Sequence, residues 1–286
     1  MSLALICGSN IKTGNNEPID VLGLNIDESF FTNAPSIRAA FGFAQNLTEL
    51  DGLKYIAKGM VKKGIKINRV ALLLHDFKRD VGTVGFTSAT MNYINSKDTK
   101  NPPRPLETGT ATGKFSLVID YDGKLPDHKT LDCILNGVTA RYNGGTVLNY
   151  IDIVAIDDLK LTEYLSKFKA WQVVDRSDLK LTTFKEMLEY VSFYKNEVSG
   201  KMDLKRHSGI FYMHQTGYQL LEDPVKRVGA VSVDGNECKH AYCEPIINIA
   251  ELKHSRWIGG CDDLCFWERV SNKEKRTSVL TRCQLC

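Results

Sequence analysis

The sequence predicts an α+β protein built on a ferredoxin-like or RRM-like antiparallel sheet, and three observations carry that expectation. Apolar patterns in the first half run strand, helix, strand, then strand, helix, strand. A glycine pair, Gly144-Gly145, sits between the second helical pattern and the last of these strands. Beyond Arg206 the chain returns to short β-type runs separated by Gly, Asp and Asn.

Each element has its own signal. Residues 3–13 read as an opening strand that Asn15-Asn16-Glu17-Pro18 breaks. Asn33-Ala34-Pro35-Ser36 supplies a helix start, and Ile37, Ala40, Phe41, Ala44 and Leu47 then recur at helical spacing, which predicts a buried helix. An amphipathic segment over residues 53–63 keeps its lysines opposite Tyr55, Ile56 and Met60 and ends at Gly64. Residues 70–77 form a strand around the continuous run Val-Ala-Leu-Leu-Leu.

Residues 80–113 are rich in Gly, Thr, Ser, Asn and Pro, longer than most connections inside a domain, and read as an arm. Residues 114–121 are a strand and Asp122-Gly123 a turn. Residues 126–142 are a helix with Leu131, Ile134, Leu135 and Val138 as its apolar stripe, and the glycine pair leads into a strand at 146–153. Residues 157–196 return to helical spacing, through Leu161, Tyr164, Leu165 and Phe168 and then Phe184, Met187, Leu188 and Val191. The β-type runs that follow are 209–214, 229–233, 246–252 and 264–269. The expected organisation is a ferredoxin-like domain over 1–156 with its arm at 80–113, a helical insertion over 157–205 and a β-rich part over 206–286. With both core helices on one face, the other sheet face is expected to be free for a ligand.

Composition bounds the function. The 286 residues, 43% hydrophobic and 25% charged, can bury a large core. No apolar run approaches the roughly 20 residues of a membrane helix, and the uncharged start does not read as a secretory signal. The expected setting is the cytoplasm, with no membrane partner. A net charge of +3 is too small to imply a nucleic-acid partner, so one would be held by local patches. Candidate patches are Lys54 to Lys66, Lys78-Arg79, and Lys201 with Lys205 and Arg206, each of which alone also fits a solvated face.

Six of the eight cysteines fall in the last fifty residues: Cys238, Cys243, Cys261, Cys265, Cys283 and Cys286. Cys283 and Cys286 have metal-knuckle spacing, but the other two pairs are too widely spaced to match it, so free thiols are expected and no cofactor is assigned. The histidines show no compact metal spacing, and neither a G-x-S-x-G elbow nor a Walker loop is present. His75 could act as a general base in a nuclease or be a strand-end histidine; Asp262-Asp263 could bind a metal or only form a turn; and Cys243 near His240 lacks a third member. Trp171, Trp257, Phe266 and Trp267 read as core anchors.

The segment from Arg141 to Thr146 has two readings. Paired glycines let backbone approach a bulky anion while Arg141 grips phosphate and Tyr142 stacks a base, or the pair is a tight connection and nothing more.

The order of these segments resembles the RAMP superfamily of CRISPR surveillance complexes, and within it the Csy-type Cas-five subunits of type I-F. The residues carrying the resemblance are Ala4-Leu5-Ile6; Phe31 to Ser36 leading to Ala39-Ala40-Phe41-Gly42-Phe43-Ala44; the strand at 70–77 with His75; Phe115 to Val118; Arg141 to Thr146; and Gly217-Tyr218. The resemblance implies a subunit without catalysis that binds the 5′ handle of a CRISPR RNA and caps a filament of Cas-seven-type backbone subunits. The complex would pair its guide with target DNA, with or without a large subunit. RNA would then be contacted by Arg38, Lys78, Arg79, Arg104, Arg141, Tyr142, Gly144 and Gly145, with residues 80–113 lying across it. The helical insertion does not match the common form of the family. In variants that lack the large subunit, the resemblance implies contact between the cap and the protospacer-adjacent duplex, here through Lys160, Lys167, Lys169 and Lys180. The alternative on the same scaffold is an RNA-processing nuclease using His75.

Overall fold

The computed structural model describes residues 2–9, 15–25, 27–28, 31–32, 36–49, 65–79, 110–123, 125, 141–191, 193–195, 202–204, 209–231, 237–272 and 274–282. The expected helix at 53–63, most of the arm with Arg104, the body of the helix at 126–142, and Cys283 with Cys286 lie outside the described residues.

The first half holds the strands β1 (Ser2–Ser9), β2 (Asn16–Glu17), β3 (Ile19–Asn25), β4 (Lys66–Arg79), β5 (Thr110–Asp122), β6 (Arg141–Tyr142), β7 (Gly145–Val147) and β8 (Tyr150–Ala155), and the helix α1 (Ile37–Glu49). The four core strands lie in the order β8, β1, β5, β4, all antiparallel, with Ile6 opposite Ile153, Leu5 opposite Val118 and Leu72 opposite Leu117. Fourth, first, third and second strands side by side is the ferredoxin-like arrangement, so the α+β sheet expected from segment order is present. The face bearing Ala4, Ile6, Leu72 and Leu117 packs on Ile37, Ala40, Phe41, Ala44 and Leu47, the stripe that helical spacing picked out in α1.

The opposite face is covered, contrary to expectation. Leu5, Cys7, Ala71, Leu73 and Val118 are buried beneath Leu161, Tyr164 and Leu165 of the helix α2 (Asp158–Lys167) and beneath Ile258, Cys261, Leu264 and Phe266. Asp157 caps α2 by accepting from the Lys160 amide at 2.9 Å, and the Asp158 carboxylate accepts from the Cys261 amide at 2.7 Å, which ties the helix start to that covering segment. The unbroken apolar run of β4 follows from this: a strand buried on both faces does not alternate.

The segment expected to be a helical insertion contributes a strand. Between α2 and the helix α3 (Phe184–Val191) runs β9 (Trp171–Asp175), which pairs with β4 through Leu74 opposite Trp171. Its Gln-Val-Val centre is too short to show a period, and the helical stripes on either side masked it. The large sheet continues through β10 (Ile210–Leu220), β11 (Cys243–His254), β12 (Trp267–Asn272) and β13 (Thr277–Arg282), apart from three short two-stranded ribbons. Pairing proceeds from β9 to β11, β10, β13 and β12, and β12 returns to β4 through Trp267 opposite Val70. The pairings therefore close a ring on β4, which meets β12 at Arg69 and Val70 and β9 at Leu73 and Leu74 on that edge. Trp267, fully buried, donates its Nε1–H to the Val173 carbonyl at 3.0 Å across this ring. Among the described residues no helix is long and apolar enough to cross a membrane.

Residues 141–142, expected to end a helix, are strand β6, and the chain reverses through a two-residue turn with φ 45° at Asn143 and 82° at Gly144. Positive φ at both central residues is the type I′ hairpin geometry that Asn-Gly favours. Gly145 serves packing: a Cβ there would lie 2.7 Å from Val21 Cγ1 and 2.9 Å from the Leu22 carbonyl oxygen. Gly145→Ala is expected to lower unfolding free energy by about 1–3 kcal/mol, as overpacking does. Gly42→Ala, in α1 where an added Cβ meets nothing within 4 Å, should raise it by up to about 1 kcal/mol. Urea unfolding of the two variants checks both signs.

Candidate nucleic-acid interface

The residues nominated for RNA fall into three groups. Tyr142 is in the core, with no exposed surface; its ring stacks on Phe115 at 4.1 Å, meets Phe43 edge-on, and its hydroxyl donates to the Ser36 carbonyl at 3.4 Å. It cannot stack a base. Gly145 is likewise buried against β3, so the glycine pair does not form an open cradle; Gly144 alone is exposed, in the hairpin turn.

Arg38 lies in the first turn of α1 and is turned onto β10. Its guanidinium sits 4.2 Å from the Tyr218 ring centroid and donates to the Tyr218 hydroxyl at 2.8 Å. Two segments singled out far apart in the sequence thus meet, next to a cavity of about 210 Å³ that Arg38 and Arg269 both line. Tyr218 follows a register shift at Gly217, where a Cβ would stand 2.1 Å from the Ser278 carbonyl oxygen. Without glycine there, β13 could not approach and Tyr218 would be displaced from Arg38.

Lys78 and Arg141 are brought onto one exposed row of the sheet. Lys78 lies opposite Thr112, the bulged Leu22-Gly23 step of β3 faces that stretch of β5, Leu22 lies opposite Thr146, and Thr146 opposite Arg141. Lys78, Leu22, Thr146 and Arg141 are exposed, Leu22 at 53%, while the alternating positions Ala111, Gly113, Val21, Gly145 and Tyr142 are buried on the α1 side. The row crosses five strands in the order β4, β5, β3, β7, β6. At about 4.8 Å per strand its ends are about 19 Å apart. A cation at each end with threonine hydroxyls between suits a sugar–phosphate backbone; the row has no aromatic platform for bases. The backbone of Arg79 continues β4 opposite Ala111.

Of the lysines nominated for DNA, Lys160 and Lys167 lie on α2, Lys169 follows it and Lys180 lies beyond β9. Lys160 Nζ donates to the Ala155 carbonyl at 3.2 Å, and Lys167 Nζ pairs with Glu163 at 2.8 Å one turn away. Lys169 and Lys180 are exposed on either side of β9, Lys180 at φ 51° after a 3₁₀ turn.

His75 is part of a hydrogen-bonded chain. Its Nδ1–H faces the Lys169 carbonyl at 3.1 Å, leaving Nε2, 3.0 Å from Ser116 Oγ, to accept; Ser116 Oγ in turn is 2.6 Å from the Tyr164 hydroxyl. A Ser–His–carbonyl line has the outline of nucleophile activation, but Ser116 has no exposed surface and the imidazole ring packs edge-on to Tyr164 and Phe168. Burial holds His75 neutral, its pKa lowered to about 4. This chain braces α2 against β5. Burial also pushes the Cys7 thiol upward and that of Cys261 up to about 12, so both are protonated and unreactive. Among the described residues no cluster of His, Cys, Asp and Glu is arranged for a metal ion.

Sequence reasoning missed a second aromatic surface. Trp267 and Phe266 are core anchors as expected, but Trp257 is 60% and Trp171 37% exposed, on the rim of a groove at the open end of the β9–β11–β10 arc. The available signal was Ser255-Arg256-Trp257-Ile258, where a 3₁₀ turn with Ser255 and Ile258 inward must turn Arg256 and Trp257 outward. Comparison with protein-family models and with curated proteins finds no match to this chain.

Fully buried His214 and half-buried His75 give the protein an acid-sensitive stability. His214, fully buried against Trp267 and without a hydrogen-bond partner for either ring nitrogen among the described residues, is held neutral by burial with its pKa lowered to about 3. Both native pKa values lie below the unfolded value of about 6.5, so the unfolded chain binds more protons and stability falls as pH drops from 6.5 towards 4. His75 alone accounts for roughly 3 kcal/mol over that window. His214→Phe should flatten the slope without loss at pH 7.5, measured by urea unfolding at several pH values.

Proposed function

We propose that this chain is an RNA-binding subunit without catalysis, the cap that holds the 5′ handle of a CRISPR RNA in a type I-F-like surveillance complex of the cytoplasm. The observation that carries the reading is the exposed row from Lys78 to Arg141 on a ferredoxin-like sheet. Its two cations, about 19 Å apart, match a backbone of a few nucleotides better than a compact anion. The resemblance of the segment order to Cas-five subunits supplies the assembly: Cas-seven-type backbone subunits as neighbours, target DNA paired to the guide, and a large subunit in those complexes that have one.

Holding the RNA falls to Lys78, Arg141 and the hairpin at Gly144, with Arg38 positioned by Tyr218 beside a second basic pocket. Contact with duplex DNA would rest on Lys169 and Lys180, because the Lys160 and Lys167 ammonium groups already have bonds within α2 and its N-terminal flank. His75 works as a brace in this reading, its Nε2 turned to a buried hydroxyl.

Arg141→Ala should weaken retention of the co-purifying RNA several-fold, about 1 kcal/mol for an exposed charged contact. Lys78→Ala with Arg141→Ala should reduce the salt slope of binding by about one for each phosphate that is no longer neutralised. The measurement is RNA occupancy and affinity from about 50 to 300 mM salt, the range over which phosphate neutralisation dominates the salt response. Occupancy and slope unchanged in the double variant would refute the reading.

A further inference from the structure

We infer that the groove between Trp171 and Trp257 is a second nucleic-acid site, which takes the unpaired bases of a single strand. It stands on its own geometry, apart from the row between Lys78 and Arg141.

The groove is built by a staple between two parts of the chain. The Ser255 amide donates to the Ala170 carbonyl at 2.7 Å, and the Ala170 amide donates to Ser255 Oγ at 3.1 Å. This reciprocal pair fixes the 3₁₀ turn Ser255–Trp257 to the start of β9, and buried Ile258 anchors the turn from below. Trp257 is left outward on one side and Trp171 on the other. The His254 ring packs edge-on to Trp171 at 4.9 Å and accepts the Arg256 amide on Nδ1 at 3.1 Å, so the rim is held in one arrangement before any ligand arrives.

Its charge identifies the occupant. Arg176 is bonded at 2.6 Å to Glu251, the carboxylate that lines the groove with it, and at 2.9 Å to Asp178, which lies outside the lining. Lys253 and Arg256 are exposed on the lining, and the Arg256 guanidinium lies 5.1 Å from the Trp257 ring centroid. The rim thus offers two exposed indoles beside two exposed cations, over a floor where Arg176 pairs with Glu251. Flat π-faces next to phosphate-neutralising groups are what a single strand needs: bases stack on the indoles while the backbone follows Lys253 and Arg256. The core of a protein interface is depleted of Lys and Glu, whereas Lys253 and Glu251 both line this groove. The volume of about 860 Å³ lies within the usual range for ligand clefts, about 300–1,000 Å³. Stacking on the indoles and phosphate neutralisation are common to every base, so binding is expected to tolerate different sequences.

The test uses the full chain, washed free of bound nucleic acid with high salt, and follows tryptophan fluorescence on titration with an oligouridylate and an oligodeoxythymidylate of about ten nucleotides. Quenching by either strand is expected, because Trp171 and Trp257 are exposed and Trp267 is buried. Similar affinities for the two strands mean the site reads bases and phosphates only; preference for the ribo strand places a 2′-hydroxyl contact there. Trp257→Ala should weaken binding about tenfold or more and Trp257→Phe should restore most of it, since loss of one stacked base has that effect. Arg256→Ala should lower the salt slope by about one. Absence of quenching overturns the inference, as does quenching that survives Trp257→Ala but is lost in the Lys78→Ala, Arg141→Ala variant. So does a dimer in sedimentation that Trp257→Ala dissolves, which would make the groove a contact between copies. Failure here leaves RNA occupancy through the Lys78–Arg141 row intact, and failure of the row leaves this quenching intact.

Discussion

The structure depends on one strand. Val70 to Leu74 of β4 is buried on both faces and paired on both edges, to β5 on one side and to β12 and β9 on the other. Leu72 faces α1 and Leu73 faces α2, so the two hydrophobic clusters are the two sides of the same few residues. The buried ion pair between Arg69 and Asp120, at 2.9 Å and directly across the ladder, fixes register where the apolar run begins. A pair this buried contributes more to alignment than to net stability, because a slipped partner would leave a charge in the core. Arg69 also lies 4.9 Å from the Phe266 ring centroid, which joins the covering segment to the same point.

From that constraint the usable surfaces follow. With both faces of the central sheet covered, nucleic acid cannot lie across it as it does on an open four-stranded platform. Among the described residues, the surfaces clear of that cover include the extension through β3, β7 and β6 and the end of the arc where β9 meets the 3₁₀ turn. The first offers cations and hydroxyls, the second indoles and cations. Backbone gripping and base stacking are therefore separated in space; Gly145 lets its strand approach β3 behind the first surface, and Gly217 lets β10 approach β13 beside Arg38.

The sequence made the core legible where local period and burial agree. Ile37, Ala40, Phe41, Ala44 and Leu47 lie buried on α1 as their spacing requires, and the order of the four core strands followed from the order of apolar runs. It failed where neighbours decide. Asn143-Gly144 is a hairpin signal, obscured because the helical stripe before it and the Gly144-Gly145 pair drew the reading towards a helix end. Strand β9 is too short to show a period between two helical stripes. Tyr142 and Trp257 exchanged the roles expected of them, because burial of an aromatic ring is set by the strand or turn opposite it. Lys78 and Arg141 could be named from sequence, but only the register of four neighbouring ladders aligns them.

The most direct measurement is ultraviolet crosslinking of the complex isolated from its native host, with crosslinked peptides identified by mass spectrometry. Crosslinks to RNA are expected on the peptides carrying Leu22, Lys78, Thr112 and the Arg141–Thr146 hairpin, four segments remote in sequence and adjacent on one sheet row. A chain recovered without RNA, or crosslinks that avoid all four segments, would contradict the assignment of this sheet extension as the RNA-holding surface.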